Sequence, residues 1–165
     1  LNNRPKIKLL KTNFDIFLEN IGWLILILLW VKVLFSFNEL PDTIPTHFNY
    51  KGEVDGYGSK WTLMILPIFA TIAYIGLTIL NKFPHIFNYL VEITPDNADR
   101  QYTISTKMIR VLKLGLVVLF ALISIMTIKG AESNSFSIVP IIVPAVFILI
   151  LLPLIYYIYK SIKLK

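Results

Sequence analysis

The chain has 165 residues, enough for one ordinary domain, but 56% are hydrophobic, only 16% are charged, and the mean hydropathy is +0.69. Soluble domains carry about a quarter charged residues, so an ordinary soluble globule is excluded. The absence of cysteine removes disulfide scaffolds, thiolate metal sites and cysteine nucleophiles.

Four apolar stretches are predicted to cross a bilayer, whose hydrocarbon core needs roughly 20 helical residues. They run over about 17–37, 61–80, 111–128 and 138–159. Few charges fall inside them: Glu19 and Lys113 sit at edges, and only Lys32 is well within. Sheet alternation is lacking, so helices rather than a barrel satisfy the backbone in lipid. The first stretch has no small-residue cleavage site behind it and is read as a span, not a signal peptide. The fold class is therefore an all-α integral membrane protein, a single four-helix domain over 1–165, with a structured extracytoplasmic loop between helices one and two.

Basic residues give the orientation. Arg4, Lys6, Lys8 and Lys11 lie before span one; Lys82, Arg100, Lys107, Arg110 and Lys113 lie around the loop between spans two and three; Lys160, Lys163 and Lys165 follow span four. The other two loops hold only Lys51, Lys60 and Lys129. Both termini and the middle loop are thus expected in the cytoplasm. The net charge of +6 is then a topology signal directed at anionic headgroups, not a nucleic-acid site. Tyr57 and Trp61 at one interface, and Tyr156, Tyr157 and Tyr159 at the other, fit the aromatic belts of a bilayer. Pro67, Pro140, Pro144 and Pro153 predict kinks in spans two and four.

The outer loop, residues 38–60, is longer than a connector needs. Pro41 and Pro45 hold its start extended, Thr46–Tyr50 is predicted as a short strand, and Lys51-Gly52 as a turn with glycine at positive φ. Leu40, Ile44, Phe48 and Val54 interleave with polar residues, the pattern of a lid packed on the helix ends. His47, Asn49, Glu53 and Asp55 gather mixed donors and acceptors within it. They form either a binding surface, a metal site, or the loop's own backbone-bonding set. Metal is disfavoured, because His85 lies across the bilayer and one histidine with carboxylates is a poor ligand set. Lys32 is expected to reach Glu39, Asp42 or Asp55 beneath the lid, which would avoid the cost of a lysine in hydrocarbon. With no further acids in the span cores, a proton or ion path is not expected.

The cytoplasmic loop, residues 82–110, contains Thr94-Pro95, a hydroxyl cap followed by proline in the first helical turn. Asp96 and Asp99 suit the positive helix end, and the helix is expected to run unbroken from Pro95 into span three. Arg100, Lys107 and Arg110 would then stand at the headgroups, behind a short interfacial segment carrying Phe83, Ile86, Phe87 and Tyr89.

The run Leu40-Pro41-Asp42, Ile44-Pro45, His47-Phe48-Asn49, Gly52, Asp55 and Lys60 resembles a bacterial membrane domain of unassigned function. That domain is also found at the N-terminus of SdpI-type peptide-toxin immunity proteins. Ile93-Thr94, Asn97-Ala98, Arg100-Gln101-Tyr102 and Leu112-Lys113 resemble the same family's second signature, giving a likeness from about residue 18 to 128. The resemblance implies a bacterial inner membrane and immunity or signalling tied to a secreted peptide. SdpI-type proteins carry a further transmembrane region, whereas here one more span follows. The family's motif positions fall on His47, Asn49, Gly52, Asp55 and Lys60 outside, and on Asn97, Arg100, Gln101 and Tyr102 inside.

The expected function is non-enzymatic binding by the outer loop, as an immunity or sensor-like factor or an accessory subunit of a membrane assembly. The ligand-binding set is His47, Asn49, Gly52, Asp55 and Lys60, with Lys32; no cofactor is expected. The alternative is a small membrane enzyme acting on lipid or peptide, with His47 and Asp55 or Glu53 as acid and base. A nucleophile motif and a phosphate loop are both missing from the sequence.

Overall fold

The computed structural model describes residues 4–133 and 139–164. Helix α1 spans Asn13–Phe37 and leads into a hairpin of β1 (Thr43–Phe48) and β2 (Val54–Ser59). A short 3-10 turn, Lys60–Met64, passes into α2 (Ile65–Leu80), and a second, Pro84–Ile86, precedes α3 (Ala98–Ser133). Helix α4 covers Val139–Lys163. Among the described residues, four helices are long and apolar enough to cross a membrane. The all-α expectation is corrected by the two-stranded sheet. Proline-held and glycine-broken, the segment cannot continue a helix, so its backbone groups pair across a hairpin instead.

The start of α1 is fixed by a capping box: Asp15 N–H donates to Thr12 Oγ1 (3.2 Å), and Thr12 N–H donates back to the Asp15 carboxylate (2.8 Å). This begins the helix four residues before the apolar stretch does. Helix α3 outruns its apolar stretch in both directions and is unbroken, as expected. It starts at Ala98 rather than Pro95, because the Asn97 side chain, not the Thr94 hydroxyl, organises the entry: Asn97 Oδ1 accepts from Thr94 N–H at 3.0 Å. Pro67 lies just after the junction at which the 3-10 turn Lys60–Met64 passes into α2. Pro144 and Pro153 lie inside α4. Ile138 and Lys165 fall outside the described residues.

Helix α3 is the centre against which α1, α2 and α4 all pack. Leu26, Leu29 and Val33 of α1, Ala70 and Tyr74 of α2, and Val117 and Ile128 of α3 form the core with Leu40, Ile44 and Leu63. The opposite faces are apolar as well: Leu24, Leu28, Phe69, Ile72, Leu152 and Ile155 are all half or more exposed. Outward apolar faces of this extent are what helices immersed in lipid present.

Hydrogen bonds place both chain ends beside the α2–α3 connection. Arg4 Nη1 donates to the carbonyls of His85 (3.3 Å) and Phe87 (2.6 Å), and Tyr102 Oη to that of Pro5 (3.1 Å). Gln101 Nε2 donates to the carbonyls of Ser161 (2.9 Å) and Leu164 (3.1 Å). The hairpin lies at the other end, where Phe48 and Pro45 rest on α3 at Gly130. The molecule thus has a termini end and a hairpin end.

Candidate functional site

The hairpin brings most of the predicted residues together. Its turn is built by Asn49, whose Oδ1 accepts from the N–H groups of Lys51 (2.9 Å) and Glu53 (3.0 Å) while its Nδ2 donates to Glu53 Oε2 (2.8 Å). Gly52 closes the turn at φ 83°, a left-handed conformation that favours glycine. Asn49 and Gly52 therefore shape the backbone. The strand starts at Thr43, three residues earlier than the pattern suggests, since Pro45 is compatible with an edge position.

The strand register slips on both sides of His47, so that Asp55 is an extra residue opposite the His47–Phe48 step. A bulge of this kind re-aims a side chain. It sets the Asp55 carboxylate directly against His47 Nδ1. The side chains remain 72% and 43% exposed, so their pairing adds little to stability and leaves the imidazole open to solvent. Lys60 clamps the base of the hairpin: its Nζ meets Asp42 Oδ1 at 3.1 Å and the Leu40 carbonyl at 3.3 Å, over the ring of Phe37. Ile44 and Pro45 beneath are fully buried, whereas Tyr50 at the tip and Tyr57 and Trp61 along the side are mostly exposed. The arrangement is a fixed stage with a polar and aromatic outer face.

Lys32 does not join it. Asp42 is taken by Lys60 and Asp55 by His47, and Lys32 is exposed on α1 outside the packed Leu26–Leu29–Val33–Ser36 stripe, with no ion pair among the described residues. Nor is there a cluster of three or more His, Asp or Glu side chains spaced to hold a metal among the described residues.

The second predicted set, at the termini end, divides. Asn97 caps the α3 entry, its Nδ2 donating to the Glu92 carbonyl at 2.9 Å. Gln101 and Tyr102 are fully buried and tie α4 and the N-terminal segment to α3, while Arg100 is exposed. Nearby, burial pushes the Tyr89 phenol up to about 12, partly offset by its hydrogen bond with Ser105, with lesser effects of Tyr102 upward and Arg4 downward.

The sequence reading missed an enclosed constellation of charged side chains. Asp15 and Glu19 of α1 face Arg110 and Lys113 of α3 between the helices, two acids against two bases. Arg110 Nη1 lies 3.4 Å from Asp15 Oδ1 and its Nε 3.2 Å from Glu19 Oε1. Lys113 is fully buried; its Nζ donates to Glu19 Oε2 and, at 2.8 Å, to Thr78 Oγ1, 4.5 Å from the centre of the Tyr74 ring. Tyr74 Oη in turn donates to the Glu19 carbonyl at 2.8 Å. Arg110 is therefore turned inward between the helices, and Glu19 and Lys113 are partners rather than unrelated edge charges. The signal was present as spacing: acids four apart on one helix and bases three apart on another each share one face. Being charge-balanced and enclosed, the cluster locks α1, α2 and α3 together.

With this geometry in place, comparison with known proteins is informative. Residues 24–71 match the domain of unknown function DUF1648. That segment runs from the middle of α1 to the middle of α2 and so is centred on the hairpin, leaving the second signature outside it. A protein of Archaeoglobus fulgidus, described only as uncharacterized, is 38% identical over 69 residues. The alignment covers 37% of this chain and 38% of that protein, so the chain matches well under half of its relative's length. No solved structure matches the chain.

Proposed function

We propose that this is a multi-pass protein of the bacterial inner membrane, with the hairpin outside and both termini inside, that binds a secreted peptide or another membrane protein through the hairpin. The observation that carries this reading is the contrast within the hairpin. Ile44 and Pro45 anchor it to the bundle, yet His47, Asp55, Tyr50 and Tyr57 face solvent. An ordered loop with an exposed polar and aromatic face is where function concentrates on a rigid scaffold. The orientation rests on the excess of Lys and Arg at the termini end. A role in immunity to a peptide, or as an accessory subunit, rests on the resemblance to the SdpI-type domain.

Purification in mild detergent from native membranes, followed by mass spectrometry of associated molecules, tests the binding role. A stoichiometric companion of the wild type should be lost from a variant carrying His47→Ala and Asp55→Ala. Retention by the double variant would exclude the hairpin pair as the contact. A second reading, acid–base catalysis, draws on the His47 Nδ1 contact with Asp55, which would orient Nε2 outward as a base. Turnover of a lipid or peptide by purified protein, abolished by His47→Ala alone, would favour it.

A further inference from the structure

A cavity of about 370 Å³ opens at the termini end between α3, α4 and the 86–90 segment. We infer that it is a seat for one acyl chain of an anionic phospholipid. Its size falls in the range of roughly 300–1,000 Å³ typical of small-molecule sites. Ile104 and Ile109 of α3 are buried and form its floor, whereas Ile86, Leu90 and Ile158 are exposed at its rim. The cavity therefore opens sideways onto the faces that α4 presents to lipid rather than inward.

Three of the wall hydroxyls, those of Tyr89, Ser105 and Ser161, are already satisfied, the last by donating to Gln101 Oε1. Tyr89 Oη is 2.9 Å from the Pro84 carbonyl and 2.8 Å from Ser105 Oγ, and Ser105 Oγ donates to the Tyr102 carbonyl at 3.1 Å. What the wall mostly offers an occupant is apolar contact, from Leu80, Ile86, Leu90, Ile104, Met108 and Ile109, which suits a hydrocarbon chain better than a polar solute. Charge points to the headgroup. Arg4, Lys82, Arg100, Lys107, Lys160 and Lys163 at this end outnumber Glu92, Asp96 and Asp99. Lys82 follows Leu80 of the lining by two residues, Lys107 adjoins Met108, and neither makes an ion pair among the described residues. Cations close in sequence to the residues that line an apolar slot, at an end of the molecule with excess positive charge, are the pattern that holds anionic lipid.

The test uses the whole chain in phosphatidylcholine bilayers containing phosphatidylglycerol with a photoreactive acyl chain. Label should concentrate on residues 86–90, 104–109 and 158, and unlabelled phosphatidylglycerol should compete better than phosphatidylcholine. Met108→Trp, which fills the cavity, should abolish this label. Leu90→Trp at the exposed rim should do so without disturbing the fold, and Lys82→Gln with Lys107→Gln should remove the preference for phosphatidylglycerol. Label spread evenly over the outward helix faces, label unchanged in Leu90→Trp, or cross-links from these residues to a second copy would each overturn the assignment.

Discussion

Replacing Glu19 by methionine leaves the fully buried Lys113 and the nearly buried Arg110 without a shared carboxylate. Removing one partner of a buried ion pair costs about 3–5 kcal/mol, because the remaining charge has lost its compensation but not its burial. Lys113 keeps only the Thr78 hydroxyl and the Tyr74 ring, neither of which carries a charge. Glu19→Met should therefore lower stability by about 3–5 kcal/mol. Adding Lys113→Met should restore most of it, since an apolar pair of similar volume removes the stranded cation along with its desolvation cost. Arg110 then retains Asp15. Reversible unfolding in mixed detergent micelles, followed by circular dichroism for the four proteins of the cycle, measures both terms. The reasoning is refuted if Glu19→Met stays within about 0.5 kcal/mol of wild type, the range of an ordinary surface change, or if the two losses add.

Other consequences follow from single contacts. A methyl group on Gly22 would stand 2.5 Å from Tyr74 Oη, so Gly22→Ala should cost about 1–3 kcal/mol by overpacking α1 against α2. Gly76→Ala, with nothing within 4 Å, should be neutral or stabilising in the same unfolding assay. Because the chain has no cysteine, single cysteines at Tyr50 and Asp99 can report sidedness in intact cells. An impermeant thiol reagent should label the first and not the second, and the reverse pattern would invert the proposed orientation. Tyr89 should ionise near 12 rather than near the ordinary 10.0. Its raised folded-state value contributes stability that is complete below pH 10 and fades as pH rises through about 12. A difference titration of wild type against Tyr89→Phe at 295 nm checks this, and a midpoint at 10 would contradict it.

The apolar helices and the Gly52 turn were legible because their causes are local: composition over a span, and one residue free to take positive φ. The strand was read only in part: Pro41 and Pro45 announce an extended start, but the pairing of Thr43–Pro45 with β2 and its burial on α3 depend on distant segments. Lys32 was misplaced for a related reason. Which of Asp42, Asp55 and Glu39 a lysine meets depends on the competing cations, and Lys60 and His47 are nearer in the folded hairpin. The Asp15–Glu19–Arg110–Lys113 cluster was encoded in periodicity on two helices, but each pair alone looks like an ordinary interfacial charge. Only the pairing of α1 with α3 makes them one group. The roles of Gln101 and Tyr102 were hidden similarly, because their partners, mostly backbone carbonyls, lie on segments distant in sequence that no local pattern announces.

The binding role of the hairpin is tested most directly by site-specific photocross-linking in living cells. A photoreactive amino acid replaces Tyr50 at the exposed tip or, as a control, Leu24 on the lipid-facing side of α1. The account predicts one discrete cross-linked product from position 50, absent from position 24 and lost when His47→Ala and Asp55→Ala are combined. The same products from both positions, or a position-50 product that persists in the double variant, would contradict it.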